Sequence, residues 1–328
     1  MDSITRLMCG RILEKLGYAI GISMGDYNSK YGLLKGISCA TFYDNGMLKE
    51  CMLDEYNELT TDYGTLVPKY GEPTIRTKYG KSLSFYQNGI LKSIYLDQQT
   101  DIRTSIGIVP AELITFHQEG GILRIFPLNG KLSGYWSEEE EYELAVEVPI
   151  TYQNHSIQAK VISIHFYPSQ NIKSVTLWRK QTIELETIYG KIATNIGYSL
   201  YETGELQSIE PKKAFIIPTL IGDMKAFNIN AIGIHADQNS LVFKQDGTVK
   251  EIVTITNQVE VQNKEGSKWV YSPRLVRSYT SEYEYEMEEL KVIFEEDTIT
   301  LELKNHQSAT YSRAQCIFKV TELLSYSK

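Results

Sequence analysis

Aromatic or apolar residues alternate with polar ones over short stretches of this chain. The alternation is interrupted at recurrent places by Asn-Gly, Asp-Gly or Thr-Gly. "FYDNGMLKE" (42–50) returns almost unchanged as "FYQNGILKS" (85–93). In each, an aromatic run enters the Asn-Gly pair and a period-two segment leaves it. Leu91, Ser93 and Tyr95 fall on one side, and Lys92, Ile94 and Leu96 on the other. A period of two belongs to a strand, and Asn-Gly between two such runs predicts a β-hairpin closed by a type I′ turn. Looser copies stand at "FYPSQNIKS" (166–174), "LYETGELQS" (200–208) and "FKQDGTVKE" (243–251). "FHQEGGILR" (116–124) and "PLNGKLS" (127–133) predict two more turns.

Each of four copies also carries a second signal downstream. Gly64, Gly107, Gly190 and Gly222 are each preceded, three residues earlier, by Thr61, Thr104, Thr187 and Thr219. From turn Gly to terminal Gly the step is 18 residues in three copies (46 to 64, 89 to 107, 204 to 222). Offsets held this closely mark an internal repeat. A lone hairpin is marginal in water, so neighbouring copies must bury a shared face. The pattern therefore predicts a mainly β protein of tandem antiparallel hairpins, forming an extended meander or solenoid-like sheet. Irregular spacing between copies argues against a perfectly regular solenoid.

Three regions are expected: an N-terminal helix or cap at 1–35, the hairpin repeats at 36–235, and a C-terminal β-unit at 236–328 that is either separate or continuous with the repeats. Residues 3–17 suit a short helix, with Ser3 as N-cap, Gly17 as stop, and Ile4, Leu7, Met8, Ile12 and Leu16 near one stripe. Ser137 and Glu140 form a capping box, with room for only a short helix before "AVEVPI".

Composition narrows the function classes. Apolar residues make up 42% of the 328-residue chain, enough for a substantial core. Net charge is −8 with no Lys/Arg block, which argues against a nucleic-acid partner and against a polybasic membrane anchor. No apolar run reaches the roughly 18 residues of a spanning helix, and charged residues interrupt the first twenty positions. Four cysteines without a CxxC do not make a secreted disulfide framework. The chain therefore reads as soluble and cytoplasmic, with a peripheral membrane contact left open. Its 23 tyrosines suit strands with one dry and one wet face.

The "FYxNGxLK" core resembles the MORN-variant hairpin repeats of YwqK-type antitoxin proteins over about nine residues per copy, most closely at 42–50 and 85–93. Those repeats are shorter, and the Thr-x-x-Gly tail here is additional. The resemblance implies a non-enzymatic scaffold that recognises a protein or a membrane surface, with no catalytic residue to transfer. A weaker likeness is to Tyr-rich hairpin repeats that bind choline or glucan, although the repeated Trp of those is missing.

The candidate binding residues follow from the repeat. Tyr43, Tyr86, Tyr167 and Tyr201 stand beside the turns as a row that suits either a partner surface or cross-strand pairing. In "SEYEYEMEEL" (281–290), Glu282, Glu284 and Glu286 share one strand face, suited to a basic partner or to solvent. Cys39 and Cys51 face each other if the first hairpin centres on Asn45, which makes them weak candidates for a disulfide or a metal. The five histidines, among them His117 and His165, form no tight ligand pair, and GxSxG, Walker and GxGxxG motifs are missing. The expected function is a cytoplasmic interaction scaffold without cofactor that presents its sheet to a protein partner. The alternatives are an enzyme or metal-binding protein whose site is assembled across strands, and a carbohydrate-binding module.

Overall fold

A computed structural model describes residues 25–72, 74–78, 80–152, 155–228, 231, 239–277, 285–303 and 307–323. The segment expected as an N-terminal helix lies outside them. The chain is mainly β, built of antiparallel meanders and small two- or three-stranded sheets, with one short helix among the described residues. It divides into two compact units, Met1–Ala145 and Val146–Lys328.

In the first unit, β1 (Tyr27–Ser29) and β2 (Gly32–Leu34) form a small hairpin. β3 (Ile37–Phe42) and β4 (Leu48–Leu53) open the main meander. β5 (Leu59–Thr61) and β6 (Gly64–Leu66) make a second small hairpin. The meander then resumes with β7 (Leu83–Phe85), β8 (Leu91–Thr104), β9 (Gly107–Phe116) and β10 (Ile122–Phe126). Its order is β3-β4-β7-β8-β9-β10, each pair antiparallel. Helix α1 (Glu138–Leu144) closes the unit, and Ser137 and Glu140 cap it reciprocally as their spacing predicts.

In the second unit, β11 (Glu147–Tyr152) pairs with the first half of β12 (His155–Phe166), and β13 (Ile172–Leu177) with the second half. β14 (Ile183–Thr187) and β15 (Gly190–Thr194) form a small hairpin, as do β18 (Phe215–Thr219) and β19 (Gly222–Ala226). The meander continues through β16 (Gly197–Leu200), β17 (Leu206–Ile209), β20 (Leu241–Phe243) and β21 (Val249–Thr254). β22 (Asn257–Asn263) pairs with β23 (Lys268–Tyr271) and β29 (Cys316–Glu322) in a separate three-stranded sheet. β24 (Arg274–Arg277) pairs with β25 (Tyr285–Glu288). β26 (Leu290–Phe294), β27 (Thr298–Leu303) and β28 (Gln307–Ser312) finish the meander on β21.

Each repeat thus has two hairpins. One joins the meander through its FYxNG-type turn, and the other sits beside it on a Thr-x-x-Gly turn. The core is built from apolar letters of the strands, and a register shift beside Leu91 lets it join Ile94 and Leu96 although a strict period of two sets them on opposite sides. Leu48, Cys51 and Leu53 of β4, and Leu91, Ile94 and Leu96 of β8, are all buried. Burying such side chains contributes on the order of 2 kcal/mol each.

The turn differs from the type I′ expectation. In the first copy Tyr43 N–H donates to Met47 O and Gly46 N–H to Tyr43 O, both at 2.9 Å. Only the glycine is left-handed, with φ +81°, while Asp44 and Asn45 have ordinary φ. This is a three-residue loop made of a type I turn followed by a bulge glycine. Asn45 serves it differently from the prediction: its Oδ1 accepts from Met47 N–H at 3.1 Å. The same loop recurs at Tyr86, His117, Tyr167, Tyr201, Lys244 and Asn263. In the third copy Gln170, at φ +68°, takes the glycine's place, so Asn171 is not the turn residue. "PLNGKLS" forms no hairpin turn, because its backbone amides are turned to two carboxylates described below.

Candidate functional site

The tyrosine row is the first feature that the folded repeat brings together. Tyr43 Oη donates to Phe85 O at 2.9 Å, and Tyr86 Oη to Phe116 O at 2.8 Å. In the second unit Tyr167 Oη donates to Leu200 O at 2.9 Å, and Tyr201 Oη to Phe243 O at 2.8 Å. Each acceptor is the residue just before the corresponding turn of the next copy. The row therefore ties one copy to the next, with its rings half-buried. Lys49, Lys92 and Lys173 lie over the rings of Tyr43, Tyr86 and Tyr167 at 5.9, 5.7 and 5.8 Å. Just after its loop, Asn171 adds a second tie: its side chain donates to Glu202 O at 3.0 Å.

The second hairpins carry another tyrosine, which sequence reading did not single out. In the turn Thr61–Gly64, Thr61 Oγ1 donates to Gly64 O at 2.8 Å and accepts from Tyr63 N–H at 3.1 Å. Ser29, Thr104, Thr187 and Thr219 make the same donation to Gly32, Gly107, Gly190 and Gly222. This explains the fixed Thr-to-Gly spacing, and it adds a copy at Ser29–Gly32 that the letters conceal. The tyrosine before the glycine reaches the meander. Leu91 N–H donates to Tyr31 Oη at 3.0 Å, Ile122 N–H to Tyr63 Oη at 3.0 Å, and Val249 N–H to Tyr189 Oη at 3.1 Å. The rings rest on the aromatic residue before the loop, Tyr31 on Phe85, Tyr63 on Phe116 and Tyr189 on Phe243.

In two of the small turns one residue hangs over a bulge glycine of the meander. Lys30 Cε comes within 3.5 Å of where a Cβ on Gly89 would stand, and Ile188 Cγ2 within 3.5 Å of the same point at Gly247. The equivalent residue over Gly120 is Asp62, and there nothing comes within 4 Å. The shorter side chain leaves an open groove of about 140 Å³, lined by Tyr31, Asp62, Tyr63, Phe116, Glu119 and Gly120. Asp62 and Glu119 are exposed at its rim, and neither has an ion-pair partner among the described residues. The groove is thus aromatic in its walls and negative at its mouth.

The remaining predicted residues are placed as follows. Cys39 is not a regular cross-strand partner of Cys51: the register slips between Ser38 and Thr41, so Cys51 lies across from a bulge in which Cys39 takes φ +47°. On its other side, toward β7, Cys51 opposes Leu83, and both thiols are free. Burial pushes the Cys51 thiol up to about 12, so in the metal-free protein it stays protonated at neutral pH. Among the described residues no three His, Cys, Asp or Glu side chains gather as a metal site would require. Glu282 and Glu284 lie outside the described residues. Glu286 lies on β25 opposite Val276, half-buried. Two residues further on, Glu288 is buried and paired with Arg274 rather than solvated.

Two carboxylate networks escaped the sequence reading because their members are far apart in the chain. Arg76 forks onto Glu112 and Glu141 with four 2.8 Å hydrogen bonds. Glu141, 2% exposed, also accepts from Gly130 N–H at 2.7 Å and Trp136 Nε1–H at 2.6 Å. A Cβ at Gly130 would overlap that carboxylate, which is why a glycine stands there. In the second unit Glu210, 1% exposed, accepts from Ser240 N–H at 2.7 Å and Ser240 Oγ–H at 2.9 Å. Both networks are closed on themselves and read as braces.

No family model, curated protein or solved structure matches this chain.

Proposed function

We propose that this protein is a non-enzymatic interaction scaffold that presents a repeat-built β surface to a protein partner. The observation that carries the reading is the groove over Gly120. A residue of the small turn covers the bulge glycine at Gly89 and Gly247 and not at Gly120, and there an aromatic-walled recess stays open. An exposed recess of this kind on a rigid scaffold suits the anchor residue of a partner. The likeness of "FYxNGxLK" to MORN-variant repeats points the same way. The tyrosine row supports the scaffold as internal fastening, and we assign partner contact to the groove side. The free thiols of Cys39, Cys51 and Cys316 agree with a cytoplasmic location.

The reading is tested by placing a photo-crosslinking residue at Gln118, which is exposed beside the groove, and at exposed Lys131 as a control. A partner crosslinked stoichiometrically from Gln118 and not from Lys131 is the expected result. Identical crosslinks from both positions, or none from Gln118, overturn the reading.

A further inference from the structure

We propose that the groove between the Thr61–Gly64 turn and the His117–Gly121 turn receives one cationic side chain, a lysine or arginine, from an extended basic segment of a partner protein. The inference rests on the scaffold reading and names the chemistry of the contact.

Four observations converge on it. The first is size. A space of about 140 Å³ admits a single side-chain-sized group, since about 150 Å³ is enough for a benzene ring. The second is the wall. Tyr63 packs tilted against Phe116 at 5.9 Å between centroids with Tyr31 also lining the groove, offering aromatic surface to a methylene stem and to a cation. The third is charge: Asp62 and Glu119 flank the mouth without an ion-pair partner among the described residues, on a chain of net charge −8.

The fourth is the molecule's own precedent. One copy earlier, the place corresponding to Asp62 holds Lys30, whose methylenes cover Gly89, and the place of Glu119 holds neutral Asn88. A lysine stem therefore fits over this loop. Where the chain omits its own lysine, it presents two carboxylates instead. The complement of that change is a lysine or arginine supplied from outside. Ile188 fills the third equivalent place with a neutral stem, so the cation site belongs to the Gly120 copy.

The experiment measures fluorescence anisotropy of a labelled Gly-Ser-Lys-Ser-Gly peptide with the full chain, beside the same peptide carrying norleucine for lysine. The lysine peptide is expected to bind at least tenfold more tightly than the norleucine peptide and to weaken as salt is raised. Asp62→Asn with Glu119→Gln is expected to remove that tenfold preference. Asp62→Ile, which fills the groove as Ile188 fills its own, is expected to remove binding of both peptides with an unchanged melting temperature. Equal binding of the two peptides, no binding of the lysine peptide, or a preference that survives the double neutral variant overturns the proposal. These outcomes are separate from the Gln118 crosslink: a partner still captured there by the double neutral variant refutes the cation site and leaves the scaffold standing.

Discussion

The Tyr86 hydroxyl donates a 2.8 Å hydrogen bond to the carbonyl of Phe116, thirty residues further along the chain. Phe116 is the last residue before the next loop, and its own ring carries Tyr63 of a small hairpin. A single residue thus joins meander, loop and second hairpin, through its carbonyl on one side and its ring on the other. Tyr86→Phe removes the donor and keeps the ring. The expected cost is about 1 kcal/mol, the net value of a typical hydrogen bond. Urea unfolding monitored in the first unit should show a lower midpoint with an unchanged slope. An unaltered midpoint would mean that the stitch contributes no stability.

Gln170 occupies the bulge position that glycine holds at 46, 89, 120, 204, 247 and 266, and it does so at φ +68°. A side chain in that region costs on the order of 1 kcal/mol, part of which is offset by the greater freedom of glycine in the unfolded chain. Gln170→Gly is expected to stabilise by about 0.5 kcal/mol and to raise the melting temperature by a degree or two. The reverse change, Gly89→Ala, is expected to destabilise, because the new methyl would meet Met47 Cε at 3.0 Å as well as the backbone preference. A lowered melting temperature for Gln170→Gly would sink the argument.

These two cases show what was legible in the letters. Positions of the loops were legible, because a left-handed residue restricts its position to glycine or a rare substitute, and the alternating flanks fix the strands. The turn type was not, since Asn-Gly serves a type I′ turn and a type I turn with a bulge equally well. The bulge at Cys39 is independent of the turn: Phe42 opposite Leu48 and Ser38 opposite Met52 keep the register of a hairpin centred on Asn45, and β3 slips only between Ser38 and Thr41. The Thr61-to-Gly64 spacing was visible, but its cause, a side-chain hydroxyl bonded across the turn, was not. The role of the tyrosines depends on an acceptor in another copy, which no local pattern records. The groove was hidden for a different reason. It arises from a filler that is missing at Asp62, and a missing contact becomes visible only once Lys30 and Ile188 are seen over their glycines.

Arg76 is the sole cation bonded to the buried Glu141 carboxylate among the described residues. Removing it leaves a carboxylate that is 2% exposed without its counter-charge, a change that typically costs 3–5 kcal/mol. Arg76→Met is therefore expected to lower the urea midpoint of the first unit more than any single tyrosine change. Arg76→Lys should recover little of the loss, because an ammonium cannot fork onto Glu112 and Glu141 together. Adding Glu141→Gln to Arg76→Met should return part of the stability. A double variant no better than the single one would show that packing, rather than the orphaned charge, sets the cost.

Glu210 gives the second unit a pH dependence whose sign can be worked out. Burial pushes its carboxyl from 4.5 up to about 7, against the opposing pull of the Ser240 and Asn228 donors. Between those two values the folded protein holds a proton that the unfolded chain has released. The resulting stability is complete below about pH 4.5 and is lost as pH rises through about 7, an effect of about 3 kcal/mol for a shift of this size. Glu251 is also raised by burial and adds a slope of the same sign, so the contribution of Glu210 must be read as a difference. Glu210→Gln keeps the shape and carries no proton to lose. Urea midpoints measured from pH 5 to pH 8 should fall for the natural chain and fall distinctly less for the variant. Parallel curves would place the pH dependence elsewhere and assign Glu210 an ordinary, ionised role on the Ser240 backbone.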